Sequence, residues 1–202
     1  MSEADAPLHR ADPRSGALTE VERYYDDKTA RLVEKYGPGP RIHFHTGLDA
    51  QAVPAGASLD DCRAAMTESQ EALVEHVARD LRAARIVDMG CGLGGAALFL
   101  AARGPSVTAL TNVARHVPLV RRLAEVAGVH VEVLHGDAHR LESVGRVDAA
   151  LAIESSCYFD RARWFGELAR ILARGARVHV VDCFIGRDAA AGRFDAYWKT
   201  RI

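Results

Sequence analysis

The sequence predicts an α/β protein in which a parallel sheet carries helices on both faces, and three observations support this. From Arg85 onward, apolar strand-like segments alternate with helical ones. A glycine-rich turn stands where the first strand meets the helix that follows it. The composition is that of a chain able to bury a core, with nearly half of 202 residues apolar and a net charge of −1. Strand–helix alternation of this kind brings right-handed crossovers and therefore parallel pairing.

The elements can be read in order. Residues 1–18 are polar and include Pro7, Pro13 and Gly16. Thr19-x-x-Glu22 is a capping-box pattern, and Val21, Tyr24, Tyr25, Leu32, Val33 and Tyr36 recur at helical spacing. Gly37-Pro38-Gly39-Pro40 ends that helix. A loop from Arg41 to Ser58 contains His43-Phe44-His45-Thr46-Gly47, and a second helix is expected over about residues 60–81. Strands are expected at 85–89, 106–111, 130–134, 147–153 and 177–183, with helices at about 94–103, 115–127 and 161–173. The chain thus divides into an N-terminal tail and helical cap, residues 1–80, and an α/β core, residues 81–202.

Composition also excludes some functions. A near-neutral chain with interspersed charges lacks the basic face that meets nucleic-acid phosphates. Cys62, Cys91, Cys157 and Cys183 form no C-x-x-C pair, so they read as small core residues of a reducing compartment rather than metal ligands. The N-terminus has no apolar signal region, and apolar runs such as Ala96 to Ala102 are too short for a membrane span. A cytoplasmic protein is expected. A homo-oligomer is compatible with the sequence.

The turn reads Asp88-Met89-Gly90-Cys91-Gly92-Leu93-Gly94-Gly95. Its glycines allow a sharp turn and a close ligand approach, and the helix behind them offers unpaired N–H groups. Gly90, Gly92 and Gly95 fit a dinucleotide fingerprint, while Asp88, Gly90, Gly92 and Gly94 fit the D-x-G-x-G-x-G pattern of methyltransferases. Asp88 is placed to meet the ammonium of a bound amino acid. The second strand ends in Thr111-Asn112 with no carboxylate for a ribose 2′-hydroxyl, which weakens the nicotinamide reading. Gly136-Asp137-Ala138 follows the third strand, where Asp137 can accept from an adenine amino group. S-adenosylmethionine (SAM), with S-adenosylhomocysteine as product, is the expected cofactor, held by Asp88, Gly90, Cys91, Gly92, Gly94, Thr111, Asn112, Asp137 and Ala138.

On these motifs the sequence resembles the class I SAM-dependent methyltransferases, with their Rossmann-like fold. Within them it resembles the sterol and geranyl diphosphate C-methyltransferase branch. Ala152-Ile153-Glu154-Ser155-Ser156-Cys157-Tyr158-Phe159-Asp160 is similar to that branch's segment after the fourth strand, and the resemblance makes Glu154 a general base. Tyr24-Tyr25-Asp26-Asp27, the His43–Gly47 stretch and Glu68-Ser69-Gln70 are weaker matches to the same group. The chain departs from the branch after the second strand, where Val113 and His116 stand in a Thr-x-Ser-x-x-Gln pattern. It departs again after Ala189, where the family's last two strands are expected to be missing.

The resemblance implies methylation of a small-molecule acceptor, at a carbon of a terpenoid, prenyl diphosphate or sterol-like compound. Alkene methylation leaves a carbocation, which aromatic faces stabilise until a base removes a proton. Glu154 and Tyr158 are the catalytic candidates, and Tyr24, Tyr25, His43, Phe44 and His45 the acceptor-binding ones, with Trp198 as a further aromatic. His43 and His45 read as solvated or hydrogen-bonded loop residues, and no metal site is expected. Mg²⁺ would enter only with a diphosphate acceptor, through Asp26-Asp27. The alternatives are O- or N-methylation of another natural product, or a non-catalytic SAM-binding module.

Overall fold

The computed structural model describes residues 19–49, 52–79, 81 and 85–183. Helix α1 spans Glu20–Tyr36 and α2 Leu59–Ala78. There follow β1 (Arg85–Met89), α3 (Gly95–Ala101), β2 (Ser106–Thr111), α4 (His116–Ala127), β3 (Val131–His135) and β4 (Val147–Ile153). Helix α5 (Arg161–Ile171) and β5 (Leu172–Val181) complete the order. The five strands form one parallel sheet in the order β3-β2-β1-β4-β5. The expected α/β architecture is therefore present, and Trp198 and the segment after Ala189 lie outside the described residues.

Local chemistry explains the boundaries. The Thr19 hydroxyl accepts from the Glu22 N–H while the Glu22 carboxylate returns to the Thr19 N–H, closing the capping box. Helix α2 starts on a second box, Ser58 with Asp61, which the sequence reading missed because Asp rather than Glu closes it. Helix α4 stops at Gly128, whose φ of 66° suits a residue without a Cβ. Strand β5 begins earlier than predicted. Leu172 pairs with Val147, a register shift follows, and regular pairing resumes at Arg177 opposite Ala149.

Side-chain alternation along the central strands fills a core on each face. Ile86, Ala149, Leu151 and Ile153 pack with Leu73 and Val74 of α2 and Leu98 and Phe99 of α3. Val87, Met89, Ala150 and Ala152 pack with Trp164 and Leu168 of α5. The indole N–H of Trp164 points at the Met89 sulfur, 2.9 Å away. A smaller cluster of Leu32, Ile42 and Leu93 ties α1 to the glycine turn.

The cysteines correct an expectation. Cys62, Cys157 and Cys183 are exposed and so are not core residues, while Cys91 is half-buried and packs against the core.

His116 is also buried, at the start of α4. The Thr29 hydroxyl donates to the Tyr25 carbonyl (2.7 Å), so it accepts from His116 Nε2 (3.1 Å). Nδ1 then faces the Thr111 hydroxyl at 3.4 Å. Burial lowers the imidazole from 6.5 to about 4, against the pull of Asp26. As pH falls, the unfolded chain takes up this proton first, so stability is full above about 6.5 and is lost progressively towards about 4. Folding free energy measured by denaturant should therefore be about 2 kcal/mol lower at about pH 4.5 than at pH 7 on account of this residue. His116→Gln should remove that component.

Candidate functional site

The strand order reverses between β1 and β4, and ligand crevices in open α/β sheets lie beyond the carboxyl ends of strands at such a point. The glycine turn leaves β1 there, and Glu154 leaves β4.

The glycines differ in what they serve. A Cβ on Gly90 would come 2.5 Å from the Cβ of Ser155, one on Gly94 2.6 Å from Val120, and one on Gly95 2.6 Å from the His43 ring. These three are small because protein packs against them. Gly92, with φ of 53°, faces open space, and it is there that the turn can admit a ligand. Gly94→Ala should lower thermal stability by roughly 2–3 kcal/mol, through overpacking and its φ of 82°. Gly92→Ala should cost only about 1 kcal/mol of stability. Its larger effect should be on cofactor affinity, and melting and calorimetry on both variants would show the reversal.

Asp88 is 2 % exposed, and its Oδ2 has no hydrogen-bond partner among the described residues. Burial pushes this carboxyl up to about 7, opposed by the Ala97 N–H, which favours the ionised form. A buried carboxylate with a spare oxygen beside a glycine cradle fits the ammonium and carboxylate of an amino-acid moiety. Gly90 and Cys91 both donate their N–H groups to the Leu110 carbonyl, at 2.9 and 3.0 Å. Burial drives the Cys91 thiol well above its ordinary value, which keeps it un-ionised.

The remaining cofactor candidates lie along the ends of β2 and β3. Thr111 is turned inward, its hydroxyl accepting from the Val113 N–H (3.2 Å) and facing His116, so it shapes the turn. The Asn112 carbonyl accepts from His135 Nε2 (3.1 Å), and Ala138 is buried. Asp137 Oδ1 accepts from the His139 N–H (2.9 Å) and ring (2.7 Å). Burial opposes its charge, but the His139 contacts outweigh that and hold the carboxyl below the usual range. The side chain of Asp137 is half exposed at the rim.

Glu154 has a φ of 49°, rare for a residue with a side chain and frequent at functional sites. Its N–H donates to the Val181 carbonyl (2.7 Å). The Thr46 N–H donates to its Oε1 at 2.8 Å, and the Thr46 hydroxyl donates to the same oxygen. Ser155 is small because it lies on Gly90, and its hydroxyl donates to the Met89 carbonyl (2.7 Å). Asp182, which the sequence reading missed, accepts from Ser156 Oγ (2.6 Å) and the Cys157 N–H (2.9 Å). The sequence places it within the strand expected over 177–183, whereas β5 ends at Val181.

Glu154 lines an open pocket of about 450 Å³ together with Phe44, His45, Val53, Met66 and Tyr36. Among the described lining residues it is the only acid, and none is a lysine or arginine. Tyr25 and Tyr158 do not line this pocket; their hydroxyls lie 3.0 Å apart, and the Tyr25 ring is edge-on to Phe44 at 6.1 Å. Burial and that hydrogen bond raise Tyr25 above its ordinary value, and burial raises Tyr158. Tyr24 is exposed and bonded to Lys28, and Asp26 pairs with Arg115 at 3.2 Å.

Of the two expectations for His43, a solvated or a hydrogen-bonded loop residue, the structure shows the second, with Nδ1 3.1 Å from His45 Nε2. His43 is 2 % exposed, wedged against Gly95, with Nε2 3.7 Å from Glu71. Burial works against the Glu71 charge, but His43 and Arg41 outweigh it and hold the carboxyl at about 2. Burial also lowers His45, against the Thr46 carbonyl, which favours the charged ring. Neutral His45 donates from Nδ1 to that carbonyl (2.6 Å), so its Nε2 accepts from His43 Nδ1 (3.1 Å).

The comparisons with known proteins bear on this arrangement. Residues 86–175 match the model of a methyltransferase domain family. The chain is 32 % identical over 197 residues to the S-adenosyl-L-methionine-dependent Diels-Alderase iliD of Neonectria sp. (strain DH2), covering 94 % of this chain and 70 % of that protein. It is 33 % identical over 106 residues to the methyltransferase phqN of Penicillium fellutanum, covering 50 % of this chain but only 32 % of that protein's length. A geranyl diphosphate C-methyltransferase from Streptomyces coelicolor A3(2) superposes with a TM-score of 0.74 at 21 % identity, covering 94 % of this chain and 75 % of that one. The [4+2]-cyclase SpnF superposes with a TM-score of 0.67 at 24 % identity, over 84 % and 63 % of the two chains. Because a relative is matched along most of both lengths, and the sheet and glycine cradle agree, the chain belongs to the class I SAM-dependent methyltransferase family, with SAM as cofactor.

Proposed function

We propose that this protein transfers a methyl group from SAM to a carbon of a small, largely apolar acceptor such as a terpenoid or sterol-like compound, and that Glu154 takes up the proton lost afterwards. The observation that carries this reading is a carboxylate set in a wall of Tyr36, Phe44, Val53 and Met66, on the residue before Ser155, which packs on Gly90 of the glycine turn. Bound SAM supplies an electrophilic methyl group. The residues of the chain align the acceptor and keep water away, which is proximity catalysis. The aromatic rings favour positive charge on the acceptor, and the carboxylate removes its proton. The described lining residues, with no lysine or arginine, suit an uncharged acceptor better than a diphosphate. His45 spends both ring nitrogens on His43 and Thr46, which argues against a histidine-assisted O-methylation.

A second reading is SAM-dependent cyclisation, favoured by the likeness to relatives named Diels-Alderase and [4+2]-cyclase. One experiment separates the two. The protein is incubated with trideuteromethyl-SAM and a panel of terpenoids, sterols and prenyl diphosphates, and products are read by mass spectrometry. A trideuteromethyl group on carbon supports the proposal. An isomer of unchanged mass, formed only with SAM present, supports cyclisation, and a label on oxygen or nitrogen overturns the carbon assignment.

A further inference from the structure

We propose that Thr46 is a positioning residue that aims the Glu154 carboxylate into the acceptor pocket, an inference that rests on the reading of Glu154 as proton acceptor. Thr46 is the residue whose backbone N–H and hydroxyl both reach Glu154 Oε1. Two donors from one residue select one orientation of the carboxylate and occupy one oxygen, leaving Oε2 to receive a proton. The geometry is held from both sides. Glu154 is fixed by its left-handed backbone and its bond to Val181.

Thr46 is fixed by the loop around it. Its carbonyl accepts from His45 Nδ1 (2.6 Å), and the His45 carbonyl accepts from Gln70 Nε2 (2.6 Å). The Leu48 N–H donates to the Ser69 carbonyl (2.9 Å), and Gly47 passes so near Ser69 that a Cβ there would collide. At the other end of the loop, Ile42 pairs with Gly94 as an isolated bridge, and His43 lies on Gly95. The segment from Ile42 to Leu48 thus spans from the glycine turn to α2 and presents Thr46 to Glu154 between two anchors. A loop pinned at both ends transmits little of its own motion to the carboxylate.

The test uses a cationic mimic of the methylated acceptor, so that the acceptor itself need not be in hand. N,N-dimethyloctylamine, charged at neutral pH, and neutral octan-1-ol are titrated calorimetrically into the protein loaded with S-adenosylhomocysteine. The wild type should prefer the amine by about tenfold, as expected for a charge-assisted contact. Glu154→Gln should abolish the preference. Thr46→Val should lose most of it, and Thr46→Ser, which restores the hydroxyl, should recover it, with melting temperature and S-adenosylhomocysteine affinity unchanged in both. A full preference in Thr46→Val, where Glu154→Gln has lost it, overturns the role of Thr46 alone. Equal losses in Thr46→Val and Thr46→Ser overturn it as well. No preference in the wild type, or one that survives Glu154→Gln, overturns the reading of Glu154 and this inference with it.

Discussion

Glu154→Gln should reduce turnover by about a hundredfold or more while SAM affinity and melting temperature stay close to wild type. A hundredfold corresponds to about 2.7 kcal/mol in the barrier. The amide keeps the shape of the side chain and an oxygen that can accept from the Thr46 N–H and hydroxyl. The backbone conformation, with φ of 49°, makes the same demand on either residue. What is lost is the negative charge and the site for the proton. If Glu154 were only an anchor for the loop, the pattern would reverse, with lower thermal stability and near-normal turnover in the folded fraction. Rate and melting temperature measured on one preparation, with an acceptor found by the deuteromethyl screen, decide the matter. An active, destabilised variant would end the proposal.

Asp88→Asn should move two quantities in opposite directions. Burial raises this carboxyl from 3.8 to about 7, so the folded chain without cofactor favours its neutral form. The stability it contributes is complete below about pH 4 and is lost as pH rises towards about 7. Asparagine cannot ionise, so the cofactor-free variant should melt several degrees higher than wild type at about pH 8. SAM affinity should fall by about tenfold or more, because a charge-assisted contact to the ammonium is removed. In the wild type, pairing with that ammonium favours ionised Asp88, so affinity should weaken as pH drops below about 7. The variant should show a flatter dependence. Calorimetric titrations of SAM across this range, beside melting curves without cofactor, test both halves. A variant that binds SAM as well as wild type would remove Asp88 from the cofactor site.

The sequence by itself determined the elements and the cofactor turn, because those depend on neighbours in the chain. Apolar strand-like runs alternating with helical ones marked β1, β2 and β4, and Thr19 with Glu22 marked the start of α1. The glycine turn was legible because few residue types allow such backbone conformations. Tertiary structure alone decided which polar groups meet. Thr46 and Glu154 are separated by 108 positions, Tyr25 and Tyr158 by 133, and no local pattern encodes such a pairing. The same reason explains the burial of His43. His43 is polar and lies in a loop, features that normally signal exposure, yet the packing of that loop onto Gly95 and beside Glu71 buries it. Periodicity reports which face of an element is apolar, and only the folded chain fixes what that face, or a loop crossing it, will touch.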